Sequence, residues 1–270
     1  MLRNHQMGAL LLALIFIALS WVGLPASAQT HNQAPADRGS AERGESAVDP
    51  ASIKALQEMA TYLGSLKSIA FDAATFTEAV LDNQQKLLVP GVVRYLAVKP
   101  DKLRVELLGE SIKRHFYHDG TKFTLVAPRE GYFAELDAAS STRDALVMAA
   151  RDFGIEVPFA DLLEWGHTRD AWKNISEGFL VGMDKVDGKE TQHWAFRGPN
   201  LDWEIWIATG DKPLPLRIST VNTRDPTRPR FVATLKWSEA QVPKAEQFSP
   251  ALAKELKRIE FKKAPPKQEG

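Results

Sequence analysis

The chain contains no cysteine among its 270 residues. Without thiols it forms no disulfide bond, no thiolate metal site and no cysteine nucleophile, and a hydrophobic core must therefore stabilise the fold. An excess of charge of either sign is also absent, because 34 Lys and Arg residues balance 34 Asp and Glu residues. A balanced chain does not attract nucleic acid by long-range electrostatics, and we expect no nucleic-acid partner.

The sequence also lacks the motifs of common catalytic and metal-binding sites. It has no Gly-x-Ser-x-Gly elbow, no phosphate-binding glycine loop and no His-Glu-x-x-His motif. His115 and His118 should lie on opposite faces of one strand, too far apart to bind one metal ion, and we interpret them as solvated histidines. We therefore predict a protein that is not an enzyme and has no catalytic residues, no metal and no cofactor. A hydrolase whose site is assembled only by folding is the alternative.

Only one apolar run is long enough to be a targeting segment. It covers residues 7–24, follows the basic Arg3 and precedes the small-x-small sequence Ala26-Ser27-Ala28. This order predicts a signal peptide at residues 1–28, cleaved before Gln29. An uncleaved membrane anchor is the alternative, because about 18 apolar residues approach the length of a bilayer span. We favour cleavage, and hence a periplasmic protein with no transmembrane span after cleavage.

The mature chain is predicted to form one α+β domain. Residues 29–48 are polar and without apolar periodicity, which indicates a disordered leader, and residues 263–270 are interpreted as a flexible tail. The domain, residues 49–262, begins with a helix that Asp49 caps. Two more helices are predicted in mid-chain, at about residues 141–153 and 158–165. They separate two groups of alternating segments, which together predict about 11 antiparallel strands.

Large apolar side chains recur on the predicted strands. In Leu201–Ala208, alternate residues are apolar and should share one face. The alternation places four other aromatic residues opposite the main apolar stripes: Phe76, Tyr95, Phe116 and Trp206. Both faces of the sheet are thus expected to carry large side chains, as when one face packs helices and the other lines a cavity.

Several segments resemble a family of predicted periplasmic proteins, domain of unknown function two thousand and ninety-two. In order, these are PxxIxxLxxMxxYLxS (residues 50–65), YHDGTKFTLVAPREGYFAEL (117–136), FGIEVPFADLLEW (153–165), WAFRGPNLDWEIWI (194–207) and PLPLRIS (213–219). The resemblance covers about residues 50–250 and implies a fold similar to the lipoprotein carriers LolA and LolB. In such a fold a strongly curved antiparallel sheet forms an incomplete barrel, and short helices act as its lid. The resemblance implies no activity and no functional residues.

An apolar cavity between sheet and helices is the predicted ligand site. We expect its walls and lid to be formed by ten residues: Leu103, Val105, Leu107, Leu146, Phe153, Phe159, Leu162, Trp203, Ile205 and Ile207. Burial of each methylene contributes about 0.8 kcal/mol, so a chain of roughly 16 carbons gains on the order of 12 kcal/mol before ordering costs. The leading hypothesis is a noncatalytic binding or carrier protein for a lipid, an acyl group or a lipoprotein segment.

A second hypothesis is an envelope interaction module with a packed core. Its protein partner would bind the arginine-rich loop at residues 223–230 or the leader at residues 29–48. Such a loop is more often a solvated connection between strands.

Overall fold

The computed structural model describes residues 47–164, 172–238 and 243–264. The predicted signal peptide, its cleavage site and most of the predicted leader and tail lie outside these ranges. Where the two ends of the domain are described, both contact it: Val48 pairs with Gly178, and the Ala264 amide donates to the Asp152 carbonyl at 2.9 Å. None of the helices in these ranges has both the length and the apolar character that a membrane span requires.

Three α-helices and twelve strands are present in the described residues. The helices are α1 (Pro50–Ser65), α2 (Thr142–Phe153) and α3 (Asp161–Glu164). The strands are β1 (Ser68–Val80), β2 (Lys86–Val98), β3 (Lys102–Gly109), β4 (Lys113–His118), β5 (Lys122–Ala127), β6 (Tyr132–Asp137), β7 (Glu177–Val186), β8 (Lys189–Arg197), β9 (Leu201–Ala208), β10 (Pro215–Asn222), β11 (Arg230–Trp237) and β12 (Lys257–Ile259). Two 3₁₀ helices, Ala245–Phe248 and Ala251–Glu255, precede the last strand.

All twelve strands belong to one open sheet. Their order is β12-β6-β5-β4-β3-β2-β1-β11-β10-β9-β8-β7, and every pair is antiparallel except β12 with β6. The predicted fold class, α+β with an incomplete antiparallel barrel, an N-terminal helix and two helices in mid-chain, is confirmed. The twelfth strand comes from the charged C-terminal segment, which covers the β6 edge.

The helices begin and end where the sequence provides caps. The Asp49 carboxylate accepts from the Ala51 amide at 2.8 Å, with Pro50 at the first helical position. The Ser141 hydroxyl accepts from the Asp144 amide at 3.1 Å, and α2 ends at Gly154 in the left-handed region, with φ 65°. The helix predicted at residues 158–165 is a single turn, α3.

The β1–β2 hairpin extends beyond its neighbours. Its two strands pair from Ser68 opposite Val98 to Val80 opposite Lys86. The pairing of β1 with β11 ends at Thr77, and that of β2 with β3 ends at Gly91. The distal strands therefore pair only with each other, although the Glu78 carboxylate accepts from the Arg230 amide at 3.0 Å.

The two faces of the sheet have different surroundings. We call the face that carries Phe71 and Ile205 the inner face, and the face that carries Glu106 and Glu204 the outer face. The helices cover the inner face, where one continuous core includes residues of α1, α2 and the segment before α3. The two 3₁₀ helices instead pack over the outer face, where Ala253 contacts Tyr117 and Val126.

The predicted placement of two aromatic residues was wrong. Tyr95 lies on the inner face, directly opposite Phe71 on one side and Val105 on the other, and Phe116 also lies opposite Val105. Both sets of alternate residues in β2 are largely apolar, and a period of two therefore does not identify its buried face. Phe76 and Trp206 do lie on the outer face.

Candidate functional site

The predicted lining residues lie together between the inner face and the helices. Nine of the ten are buried in one core: Leu103, Val105, Leu107, Leu146, Phe159, Leu162, Trp203, Ile205 and Ile207. The tenth, Phe153, is partly buried and packs against Phe261, with ring centroids 5.4 Å apart. Whether these residues bind a ligand stays a prediction.

In this conformation the protein's own side chains occupy the space between sheet and helices. Leu56, Met59 and Leu63 of α1 are fully buried there. Phe159 packs edge-on against Phe71 of β1, with centroids 5.4 Å apart and planes at 88°. A ligand at this place therefore requires side chains, and the helical segment that carries Phe159, to move.

Three polar atoms of the inner-face core have no hydrogen-bond partner among the described residues. They are the Tyr95 hydroxyl and the indole nitrogens of Trp194 and Trp203. Two other indoles do find acceptors: Trp206 donates to the Asp184 carboxylate at 2.9 Å, and Trp237 donates to the Pro215 carbonyl at 2.7 Å. A buried donor without an acceptor is uncommon and destabilises a protein. Three such donors in one core therefore require an explanation.

A cleft of about 570 Å³ opens on the outer face, at the end of the sheet where the β1–β2 hairpin projects. Charged side chains alternate in its walls, together with the apolar Phe179, Ala195 and Val221. Of the ten predicted lining residues, Trp203 alone also contributes to this cleft or to the smaller one described below. The cleft and the predicted interior site are thus distinct places in the molecule.

Ion pairs neutralise the charges of this cleft. Arg197 donates to Asp202 at 2.8 Å and to Glu177 at 2.9 Å, and its hydrogen bond lowers the pKa of the Asp202 carboxyl. Arg230 donates to Glu204 at 2.8 Å. Each arginine is thus already satisfied by a carboxylate, and the cleft is not a ready-made anion site.

The loop at residues 223–230 contributes to the same network. Arg228 donates to Asp202 at 3.1 Å, and Arg224 donates to the Asn200 side chain at 2.6 Å. The arginines suggested as a partner surface are thus engaged within the chain.

A smaller cleft of about 290 Å³ lies beside the first turn of α2 and includes Lys99, Lys102 and Arg143. The Lys99 ammonium donates to the Leu63 carbonyl at 2.8 Å and to the Gly64 carbonyl at 3.1 Å. It therefore caps the end of α1, and partial burial lowers its pKa. This lysine has a structural role.

Both histidines on β4 are buried, and their interpretation as solvated side chains was wrong. His118 lies under α2, with its ring nitrogens 3.0 Å from the Thr142 hydroxyl and 2.9 Å from the Ala139 carbonyl. His115 lies on the outer face, 3.6 Å from the Glu106 carboxylate. They do lie on opposite faces, as predicted, and the described residues contain no group of three side chains that could hold a metal ion.

Two residues of the interior were not predicted as part of the site. Trp194 is not among the ten predicted lining residues, and Tyr95 was predicted to lie on the other face. The sequence pattern that could have identified Trp194 is the alternation in β8. Trp194 and Phe196 are alternate residues, and Phe196 lies opposite Trp203 in β9, so all three share one face. For Tyr95 there was no local signal, because only its pairing with Phe71 places it inside.

Solved structures with a similar chain course are distant in sequence. Lipoprotein LppX of Mycobacterium tuberculosis is 12% identical, with a TM-score of 0.38 over 72% of this chain and 98% of that chain. LprF of Mycobacterium bovis is 12% identical, with a TM-score of 0.43 over 73% and 98%. The LolA superfamily protein NE2245 of Nitrosomonas europaea is 12% identical, with a TM-score of 0.39 over 74% and 98%.

No curated protein matches the sequence. A family match, by contrast, covers almost the whole described domain, from residue 52 to residue 262. It confirms the resemblance seen in the separate sequence segments. The chain belongs to the family described as predicted periplasmic protein (DUF2092).

Proposed function

We propose that this protein is a noncatalytic periplasmic binding or carrier protein for a hydrophobic ligand. The ligand is a lipid, an acyl group or a lipoprotein segment, held between the inner face and the segment that contains α2 and α3. The observation that carries the proposal is the slight cover that the mid-chain helices give to a wide apolar face. Helix α2 buries Leu146 together with the small side chains of Ala145 and Ala149, and α3 is one turn long.

The free energies of uncovering the site and of burying a ligand there can be compared. Withdrawal of Leu146, Phe159 and Leu162 costs about 1.5–3 kcal/mol for each side chain, because each loses its buried contacts. An acyl chain of roughly 16 carbons gains on the order of 12 kcal/mol gross when it is buried in their place. The ten predicted residues would then form the walls and the displaced lid of the site.

The proposal also includes export of the protein to the periplasm. A signal peptide cleaved before Gln29 would release the domain outside the cytoplasm, where acylated lipids and lipoproteins are potential cargo. N-terminal sequencing of the protein recovered from the periplasm tests this step, and a chain that retains residues 1–28 would contradict it.

Ligand uptake tests the central claim. The purified protein should carry lipid that mass spectrometry detects after solvent extraction, and the delipidated protein should take up a fluorescent fatty acid. Leu146→Ala should speed uptake by roughly tenfold or more, because loss of a buried leucine contact weakens the lid by about 2 kcal/mol or more. A clean apoprotein that takes up no fatty acid would exclude the proposal.

The matched control is Leu87→Ala at the exposed hairpin end. Leu87 is 42% exposed and lies outside the core, so its removal should leave the uptake rate unchanged. Equal acceleration by both variants would indicate a general loss of stability instead of lid opening.

A packed interaction module is the second candidate, and one observation favours it. Nine of the ten predicted lining residues are buried in one packed core together with side chains of α1, while β7 exposes Phe179 and Met183 on the surface. This candidate predicts no fatty-acid uptake and a stoichiometric crosslinked partner in the envelope. The partner should be lost in Phe179→Ser with Met183→Ser and retained when Arg224 is replaced by Ala.

A further inference from the structure

We propose that the bound ligand carries carbonyl oxygens, as in the ester or amide linkage of an acyl chain, and that Tyr95, Trp194 and Trp203 donate hydrogen bonds to them. This inference rests on the proposed function and specifies the chemistry of its ligand. The three donors belong to a largely apolar interior, which also buries the polar side chains of Thr75, Thr220 and His118.

Two of the donors are neighbours on the inner face. Trp194 lies opposite Ile205, and Trp203 lies opposite Phe196, so that the indoles occupy diagonal positions on adjacent strands. Trp203 is stacked on Phe196, with centroids 4.3 Å apart and planes at 20°. The stack fixes the orientation of the Trp203 ring, which therefore cannot turn freely toward an acceptor elsewhere.

The third donor lies close to the helical cover. Tyr95 is stacked on Phe71, with centroids 4.9 Å apart, and Phe159 packs on the other side of this pair. Burial, with the charge of Asp161 as a second cause, raises the pKa of the Tyr95 hydroxyl. The hydroxyl therefore keeps its proton and is available as a donor beneath the segment that must move.

The fold satisfies comparable groups elsewhere, which makes these three exceptional. The indoles of Trp206 and Trp237 donate to acceptors of the chain itself, and both His118 nitrogens have partners. The fourth buried atom without a partner among the described residues, Nε2 of His115, lies on the outer face.

The donors also restrict the class of ligand. An indole N–H can only donate, and a protonated phenol donates most readily. The complement is a strong oxygen acceptor. The carbonyl of an ester or amide linkage is such an acceptor, an ether oxygen accepts more weakly, and a plain hydrocarbon offers none.

Two lipids that differ only in their carbonyl groups test this inference. The probes are dioleoylglycerol and its dioleyl diether analogue, each used to displace a fluorescent fatty acid from the delipidated protein. The diester should bind more tightly by roughly threefold to tenfold for each hydrogen bond made. Trp194→Phe and Trp203→Phe should each reduce this preference, because phenylalanine keeps an aromatic ring and removes the donor.

The matched control is Trp237→Phe, which removes an indole donor that the Pro215 carbonyl already satisfies. This variant should keep the preference for the diester. A loss of preference in the control equal to that in Trp194→Phe would overturn the inference.

Indole NMR gives a second readout that does not depend on affinity. With ¹⁵N-labelled tryptophan, the N–H signals of Trp194 and Trp203 should move downfield with the diester and not with the diether. Equal binding of both lipids, or indole signals that already report a hydrogen bond to water and do not change, overturns this inference alone. Failure of both lipids and of the fatty acid to bind overturns the proposed function with it.

Discussion

Glu106 shows how one residue can combine burial with charge. It is 5% exposed on the outer face and accepts from the Arg104 guanidinium at 3.0 Å, with Arg94 at 3.5 Å. Burial alone would raise the pKa of this carboxyl, but the hydrogen bond from Arg104 and the nearby positive charges lower it. The carboxylate is therefore ionised at neutral pH, and the positive charges of Arg104 and Arg94 offset the cost of burying it.

His115 beside this carboxylate predicts acid sensitivity. Burial lowers the pKa of His115 below 6.5, although the charge of Glu106 opposes this shift. The unfolded chain therefore binds a proton at a pH where the folded chain does not, and stability falls as the pH drops below about 6.5. His115→Gln should reduce this loss by up to about 1 kcal/mol for each pH unit, measured by urea unfolding between pH 7.5 and 5.5.

Some sensitivity should remain in the His115→Gln variant. Burial also lowers the pKa of His118. The Glu106 contribution is lost only as the pH falls below 4.5, the ordinary pKa of a glutamate, toward the lowered pKa of Glu106. Tyr117→Phe is the control, because it removes a hydroxyl 3.5 Å from the His115 ring and leaves both histidines. An unchanged pH profile in His115→Gln would show that His115 does not bind the extra proton on unfolding.

At the scale of elements, the contact between α1 and β7 depends on the absence of one side chain. A Cβ atom at Gly178 would meet the Ser52 hydroxyl at 2.7 Å and the Phe196 ring at 3.1 Å. The Gly178 backbone also pairs with Val48 just before the helix. The first turn of α1 can thus approach β7 this closely only because residue 178 is a glycine and has no side chain.

Gly178→Ala should destabilise the protein by about 1–3 kcal/mol, because the added methyl group pushes α1 away from β7. Adding Ser52→Ala should restore part of this loss by removing the nearer of the two atoms. Thermal unfolding of both single variants and the double variant measures the coupling between them. If the losses of stability in the two single variants add up in the double variant, residue 178 and Ser52 do not interact and this explanation is wrong.

The whole molecule has two sheet edges that differ in chemistry. The β12 edge carries Lys257 and Arg258, and charged residues of this kind discourage pairing with another chain. The β7 edge exposes Phe179, Leu180, Val181 and Met183, with exposures from 43% to 61%. The irregular pairing between Leu180 and Gly182 interrupts this edge but does not cover its apolar side chains.

We expect the β7 edge to promote self-association at high protein concentration. Val181→Lys with Met183→Lys should reduce the concentration-dependent increase of mass seen by light scattering, while circular dichroism stays unchanged. Leu88→Lys, at the hairpin end and 65% exposed, is the control for general hydrophobicity. If the hairpin variant has the larger effect, association involves the projecting hairpin and not the edge.

Local signals were sufficient for most elements. Strand β9 occupies Leu201–Ala208, the segment in which alternate residues are apolar, and β4 ends at His118 immediately before the turn residues Asp119-Gly120. The helix predicted at about residues 141–153 is α2, which Ser141 caps and Gly154 ends. Helix α3 was predicted too long, because its apolar residues pack as a single turn after Phe159, which has a positive φ of 59°.

The sequence by itself determined most of the elements, their order and part of the set of residues that form the interior, because turns, caps and periodicity act over a few neighbouring residues. Only the tertiary structure decided which face of β2 is buried, that His115 and His118 are enclosed, and that three donors in the core have no acceptor among the described residues. These features depend on pairing between strands far apart in the chain and on the segments that cover them. No local pattern encodes that information.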